Sequence, residues 1–148
     1  MTIQGIRTNV QALLESSELF TTVLPHPPKE DTNFGGFPSS CHYYDNTDPQ
    51  YATVTQNRRV IQYTVELYMI QPKNVTPETE YQEAYDLIDS VIQLFDESID
   101  LSSQTIPLAR ACDLMRPAPG EMQRVTTPEG DGLMCTIRLF CEADVSFR

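Results

Sequence analysis

The chain has 148 residues, of which 40% are hydrophobic and 9% aromatic, and this composition suits one globular domain with a buried core. Its 21 acidic residues outnumber ten basic ones, and the formal net charge of -11 argues against a surface that binds nucleic acid by neutralising phosphates. The sequence has neither a run of ~20 apolar residues that would span a membrane nor a secretory signal pattern, so we expect a single domain, residues 1–148, made in a cytoplasm.

The first predicted element is an amphipathic helix over about residues 6–17, with Thr8 or Asn9 as its cap. Its apolar positions recur at three- and four-residue spacing: Ile6, Val10, Leu13, Leu14 and Leu19. Residues 20–24 are predicted to be extended. The three prolines of the following PHPPKED segment forbid a helix and favour an edge strand or an extended connector.

Residues 33–57 form a Pro-, Gly- and Tyr-rich region that we expect to protrude from the domain. Two short strands, at about residues 39–44 and 51–55, are predicted on either side of a turn in DNTDPQ. Because tyrosines are common at protein contacts, this region supplies candidate residues for an interface with a neighbouring protein: Tyr43, Tyr44, Asp45, Asp48 and Tyr51. The alternative is an exposed hairpin tip whose tyrosines lie flat on the sheet.

The strongest strand pattern covers residues 58–71, RRVIQYTVELYMIQ. Alternation places one apolar set on a single face: Ile61, Tyr63, Val65, Leu67 and Met69. The basic pair at its start, Arg58 and Arg59, has two interpretations. The arginines either cap an edge and discourage stray strand pairing, or they meet the acidic face of a neighbouring copy.

The clearest helix pattern covers residues 76–101, with Thr76 as N-cap, Pro77 in the first turn and acidic residues beside the positive end of the helix dipole. Its apolar stripe is predicted to pack on a sheet: Tyr81, Ala84, Tyr85, Ile88, Val91, Ile92 and Phe95. Nearly all of its carboxylates lie off this stripe, which favours a solvated helix face over a paired acid/base site.

Three more strands are predicted after the helix: residues 111–116, stopped by PAPG; residues 121–126; and residues 133–147. Gly130 to Gly132 supply the hairpin turn before the last of these, which alternates without a break and is predicted to be a central antiparallel strand. Met134 and Phe140 fall on its outward parity, which indicates that the second face of the sheet is partly covered in an assembly. The order of elements predicts an α+β fold, an antiparallel sheet of four to five strands with two helices packed on one face.

Residues able to carry catalysis are sparse. Only His26 and His42 offer an imidazole, and Cys41 points to the opposite side of an extended segment from His42, which disfavours a metal site or a thiol nucleophile. The sequence has neither a phosphate-binding loop nor a calcium-binding loop. Its four cysteines lack CxxC spacing and are predicted to be reduced and buried. We therefore predict that the protein is not an enzyme and uses no metal or cofactor.

The layout as a whole resembles a known family. It combines an N-terminal amphipathic helix, a Pro/Gly-rich region, the strand RRVIQYTVELYMI, the helix EYQEAYDLIDSVIQLFD and a closing hairpin that ends in GLMCTIRLFCEADVSF. This order is similar to that of the tail terminator and tail-to-head joining proteins of long-tailed bacteriophages. The resemblance covers nearly the entire chain and is one of order and pattern, so no residue roles are carried over with it.

The resemblance implies a structural virion protein at the head-tail junction. It implies a homo-oligomer, a hexameric ring, that caps the tail tube, stops its polymerisation and meets the head-tail connector or stopper protein. DNA would pass through the central channel without sequence-specific binding, and the negative charge would keep it from binding the wall. Two alternatives stay open: a non-enzymatic adaptor or small-ligand-binding module with its pocket between helix and sheet, and, ranked last, a hydrolase that uses the helix carboxylates.

Overall fold

The computed structural model describes residues 1–29, 32–51, 56–70 and 76–146. It contains two helices, α1 (Ile3–Ser16) and α2 (Pro77–Asp96), and five strands: β1 (Thr22–Leu24), β2 (Ser39–Tyr51), β3 (Gln56–Ile70), β4 (Leu114–Thr127) and β5 (Gly130–Ser146). One sheet runs in the order β1-β2-β3-β5-β4. The predicted α+β class is confirmed. The sheet is antiparallel except for the short parallel pair β1 and β2, so it is mixed.

Both helices pack on one face of the sheet, which we call the inner face. The inner-facing residues of β3 are those that alternation predicted, Ile61 to Met69 at every second position, and those of β5 run from Leu133 to Cys141 in the same way. Across this layer α1 contributes Ile6, Val10, Leu13 and Leu14. The opposite face carries no helix among the described residues, and we call it the outer face.

α2 begins as predicted, since the Thr76 side chain accepts a hydrogen bond from the Thr79 amide and Pro77 occupies the first turn. The predicted stripe is only partly correct. Ala84, Val91 and Phe95 are buried, whereas Tyr85 is 54% exposed. The buried positions follow one line along the helix, and Tyr85 lies about 100° around the helix axis from Ala84.

The start of α1 was predicted too late. Thr2 caps the helix by accepting a hydrogen bond from the Gly5 amide at 2.9 Å, so neither Thr8 nor Asn9 is the cap. Asn9 instead lies buried in the helix, where its Nδ2 donates to the carbonyls of Leu101 at 2.9 Å and Ala109 at 2.7 Å. Sequence alone does not distinguish a helix cap from a polar residue that donates to the backbone carbonyls of a distant loop, because both roles use a short side chain with hydrogen-bonding groups.

Two predicted strand breaks are absent, and each is replaced by a bulge. β2 runs through DNTDPQ without a turn and shifts its register between Tyr44 and Asn46. β4 likewise runs through PAPG, which was predicted to separate two strands, and shifts between Pro119 and Met122. β4 is an edge strand, so one side of its backbone has no neighbouring strand. Proline is tolerated there because the N–H that it lacks is not needed for strand pairing.

The β4–β5 hairpin turns at Pro128 and Glu129, two residues before the predicted position, with Thr127 paired to Gly130. Gly130 adopts φ +136, a conformation that a side chain disfavours. Gly132 is required for a different reason. A Cβ on Gly132 would lie 2.3 Å from the carbonyl oxygen of Met69 on β3, so the close approach of the two strands needs glycine.

Residues before β2 cover one end of the outer face. The ring of Phe34 packs on Tyr68 with centroids 4.9 Å apart, and Phe37 packs on Phe34 at 5.6 Å. Met134 and Tyr43 pack against the rim of this cluster. Within the part of the chain that the structure describes, neither helix is long and apolar enough to span a membrane.

Candidate functional site

The candidate interface residues predicted from sequence fall on two sides of the sheet. Four of them lie on the outer face: Tyr43, Arg58, Met134 and Phe140. Arg58 is at an outer position of β3, and each of the other three is paired with a residue at such a position. Tyr44 and Arg59 have the opposite parity, and Asp45 occupies the bulge of β2. Asp48 and Tyr51 belong to the backbone of β2, and their side chains lie outside the described part of the structure. The candidates therefore do not form one site.

Tyr43 is held by its own chain. It is half-buried, and its hydroxyl donates to Oε1 of Glu66 on β3. The other oxygen of Glu66 accepts from the hydroxyl of Tyr68 at 2.5 Å and from the Cys41 thiol at 3.7 Å. Two phenols and a thiol thus satisfy one carboxylate on the outer face, and this cluster ties β2 to β3.

The same cluster makes Cys41 unreactive. Burial, reinforced by the negative charge of Glu66 and the hydrogen bond to it, raises the pKa of the Cys41 thiol far above its ordinary value. Burial and the hydrogen bond to Glu66 likewise raise the pKa values of Tyr43 and Tyr68. The nucleophile in cysteine chemistry is the thiolate, so a thiol held protonated beside a carboxylate is a poor one.

Cys41 and His42 point to opposite faces, as the sequence predicted. His42 is fully buried on the inner side, where Nδ1 lies 2.7 Å from the Tyr63 hydroxyl and Nε2 lies 2.5 Å from Oε1 of Gln11 on α1. The Gln11 amide nitrogen donates to Val23 O, which orients the amide so that Oε1 faces the imidazole. Nε2 must therefore donate to Gln11, and in the neutral imidazole Nδ1 accepts from the Tyr63 hydroxyl. Burial, with nearby Arg7 adding to it, lowers the pKa of His42 to about 4.

A second satisfied carboxylate lies at the far end of the outer face. Glu142 on β5 is 6% exposed and accepts a hydrogen bond from Arg116 on β4, while Arg58 on β3 lies 3.3 Å from its other oxygen. Arg58 also lies 3.3 Å from Asp144. Both arginines of the candidate pair are exposed, and Arg58 is already paired within its chain. Sequence reasoning missed this cluster, although an acid on an apolar strand was a usable signal.

The carboxylates of α2 lie on the exposed side of the helix, as predicted, with one exception. Glu80 is buried and bonds to Arg124 on β4 at 2.7 Å, and the Arg124 guanidinium lies 5.8 Å from the centre of the Tyr81 ring. This pair fastens the first turn of α2 to the sheet.

The polar clusters described above join strands and helices of the same chain to one another. All four cysteines are free and buried, and the described ranges contain no group of three or more His, Cys, Asp and Glu able to hold a metal ion. Beyond the covered end, the part of the outer face that stays open lies around Arg138, Phe140 and the bulge of β4.

Comparison with protein-family models and with curated proteins found no match for this chain. The functional argument therefore depends on the surfaces described above.

Proposed function

We propose that the protein is a structural, non-enzymatic virion subunit: a tail terminator of a long-tailed bacteriophage. In this role copies form a ring, hexameric in the family it resembles, on the end of the tail tube. The ring stops tube polymerisation, meets the head-tail connector or stopper protein and leaves a channel for DNA. The subunit assembles in the host cytoplasm and acts at the head-tail junction of the virion.

The observation that carries this proposal is the two-layer architecture. Two helices cover the inner face of a five-stranded sheet, and the outer face keeps an open region with half-buried Phe140 and exposed Arg138. A sheet face with apolar side chains is normally buried against another layer. A neighbouring copy supplies that layer, and head-to-tail contacts that repeat around an axis close into rings.

The end of the sheet formed by β2, β3 and β5 supports contact with a neighbouring protein. Beyond Ile61, β3 pairs with β2 to Asn57 and with β5 to Gln56, so the three strands extend together. Arg58 and Arg59 are exposed at this end. Such a surface is suited to meet a subunit above or below the ring.

The experiment is a measurement of native mass by light scattering, followed by negative-stain imaging of the protein alone and mixed with tail tubes of the phage that encodes it. The proposal expects rings in solution or on tube ends, and tubes that no longer elongate once capped. A chain that stays monomeric and never associates with tail tubes overturns it.

One observation favours the adaptor or small-ligand alternative. A cleft of about 450 Å³ lies between α2 and the end of β3, lined by residues that include Phe37, Met69, Ala84 and Leu87. A ligand-binding module would place its pocket between helix and sheet in this way. Saturable binding of a small molecule, lost in a folded Glu83→Trp variant that fills the cleft from an exposed position and accompanied by a monomeric mass, would support this alternative over the ring.

A further inference from the structure

Arg138 is a charged side chain without a partner at the middle of an open sheet face. It lies on the outer face of β5, flanked across the strands by Thr64 of β3 and Ala118 of β4, and it is exposed. Within the described ranges it has neither an ion-pair nor a hydrogen-bond partner. Arg58 and Arg116 on the same face are both engaged by Glu142. Arg138 is thus the described outer-face guanidinium that is left for a partner.

A groove adjoins Arg138. It has a volume of about 450 Å³, lies at the β4 bulge and is lined by Phe140, Thr136, Pro119 and Gln123, together with one acid, the exposed Glu121. Phe140 is half-buried, so part of its ring is available to a second molecule. A guanidinium beside an aromatic ring and a groove fits an acidic surface that carries an aromatic side chain.

The opposite side of the same molecule presents such a surface. Glu78, Tyr85, Asp89 and Asp96 lie along one exposed line of α2, and we call this line the acidic ridge. The described helix sequence contains no Lys or Arg. Tyr85, in the middle of the ridge, is 54% exposed, and the centre of its ring lies 6.0 Å from that of Tyr81 in a tilted arrangement. Tyrosines in such positions often dominate binding energy.

We propose that the acidic ridge of one copy docks on the Arg138 groove of the next copy. This inference rests on the proposed ring function and specifies which two surfaces meet. Asp89 pairs with Arg138, and Tyr85 enters the groove beside Phe140. Because the ridge lies on the helix layer and the groove on the outer face of the sheet, each copy contacts the preceding copy and the following copy through two different surfaces. Contacts of this kind are head-to-tail and close into a ring when the rotation permits.

Charge decides the pairing. The chain carries a net charge of -11, so two copies repel at most orientations. In the proposed contact the opposite charges of Asp89 and Arg138 meet, and the uncharged Tyr85 occupies the groove that Glu121 also lines. Association should therefore weaken as sodium chloride rises, because salt screens surface charges beyond a Debye length of about 8–10 Å.

The test uses charge reversal and its rescue. Arg138→Glu and Asp89→Arg are each expected to weaken self-association at least about tenfold in sedimentation measurements, because like charges then meet across the contact. In a mixture of the two variants, the glutamate that replaces Arg138 in one copy faces the arginine that replaces Asp89 in the next. The following contact joins a native Arg138 to a native Asp89. Mixing should therefore restore assemblies in which the two variants alternate.

The matched control is Arg110→Glu, which makes the same charge change on an exposed arginine outside both surfaces. It should associate like the wild type, and thermal melts should show that all three variants are folded. Rings that survive both reversals would overturn the docking proposal and leave the ring function standing. A wild-type chain that is monomeric in solution at all concentrations overturns the docking proposal, and its behaviour on tail tubes then decides the ring function separately.

Discussion

The stability of the protein should fall in mild acid because of one residue, His42. The imidazole is fully buried and neutral, with Nε2 donating to Gln11 and Nδ1 accepting from the Tyr63 hydroxyl. Burial and the positive charge of Arg7 lower its pKa from 6.5 to about 4 in the folded protein. A protonated imidazole would place a charge in the core, and burial opposes that charge.

The direction and the magnitude follow from proton linkage. Between pH 6.5 and 4 the unfolded chain binds a proton at His42 and the folded chain does not, so the free energy of unfolding falls as pH falls. The contribution is fully present above pH 6.5 and is lost progressively below it. A pKa difference of that size corresponds to about 3 kcal/mol at most, from about 1.36 kcal/mol for each unit.

The assay is urea denaturation followed by circular dichroism at intervals from about pH 4.5 to 7.5, the range over which the unfolded imidazole titrates. The exposed His26 provides the matched control, since the chain has two histidines and His26→Gln removes one without opening the core. His42→Gln should lower stability at neutral pH and flatten the pH dependence over this range relative to both wild type and His26→Gln. A His42→Gln protein whose slope equals that of the wild type would refute the assignment of a buried neutral imidazole.

Three other predictions concern packing and charge. Phe95→Ala should destabilise the protein by about 3–5 kcal/mol in urea melts because it leaves a cavity under α2, whereas Tyr85→Ala should cost under about 0.5 kcal/mol in the dissociated monomer. Gly132→Ala should cost about 1–3 kcal/mol or more, because the added Cβ meets the Met69 carbonyl. Gly35→Ala should cost about 1–2 kcal/mol through backbone strain alone, because Gly35 lies in open space at φ +74. Equal thermal shifts for the two variants would contradict this reasoning. Glu142→Gln should cost about 1–2 kcal/mol at neutral pH, a modest value because both arginines are well exposed, and high salt should shrink the difference between variant and wild type.

The elements that sequence predicted well are those whose pattern has one physical cause. β3 and β5 alternate because one face is buried, and the register pairs Ile61 with Cys141 and Val65 with Ile137, so the same parity is apolar on both strands. The cap at Thr76 depends on local hydrogen bonding, which sequence also reveals. Such features can be predicted without knowing which residues lie nearby in the folded chain.

The errors arose where a distant partner overrides a local preference. The residues of DNTDPQ and PAPG favour turns, yet pairing with β3 and β5 keeps both segments in strands and confines the conflict to a bulge. Tyr43 and Arg58 stay candidates for contact with a neighbouring protein, but sequence did not reveal that the register places Glu66 and Glu142 within their reach. Sequence shows an acid on a strand; which side chain satisfies it depends on the register of the sheet.

The satisfied carboxylates also bear on assembly at the outer face. Covering a sheet face with another subunit is costly when it buries charges without partners. Here Glu66 already accepts from two tyrosines, and Glu142 already has two arginines, so a neighbour would cover them with their hydrogen bonds made. Arg138 and Glu121 are the charges that line the open groove, and a neighbour without an acidic group opposite Arg138 would be disfavoured. In the proposed docking the specificity of the contact depends on Arg138, and a single reversal at Arg138 therefore tests it.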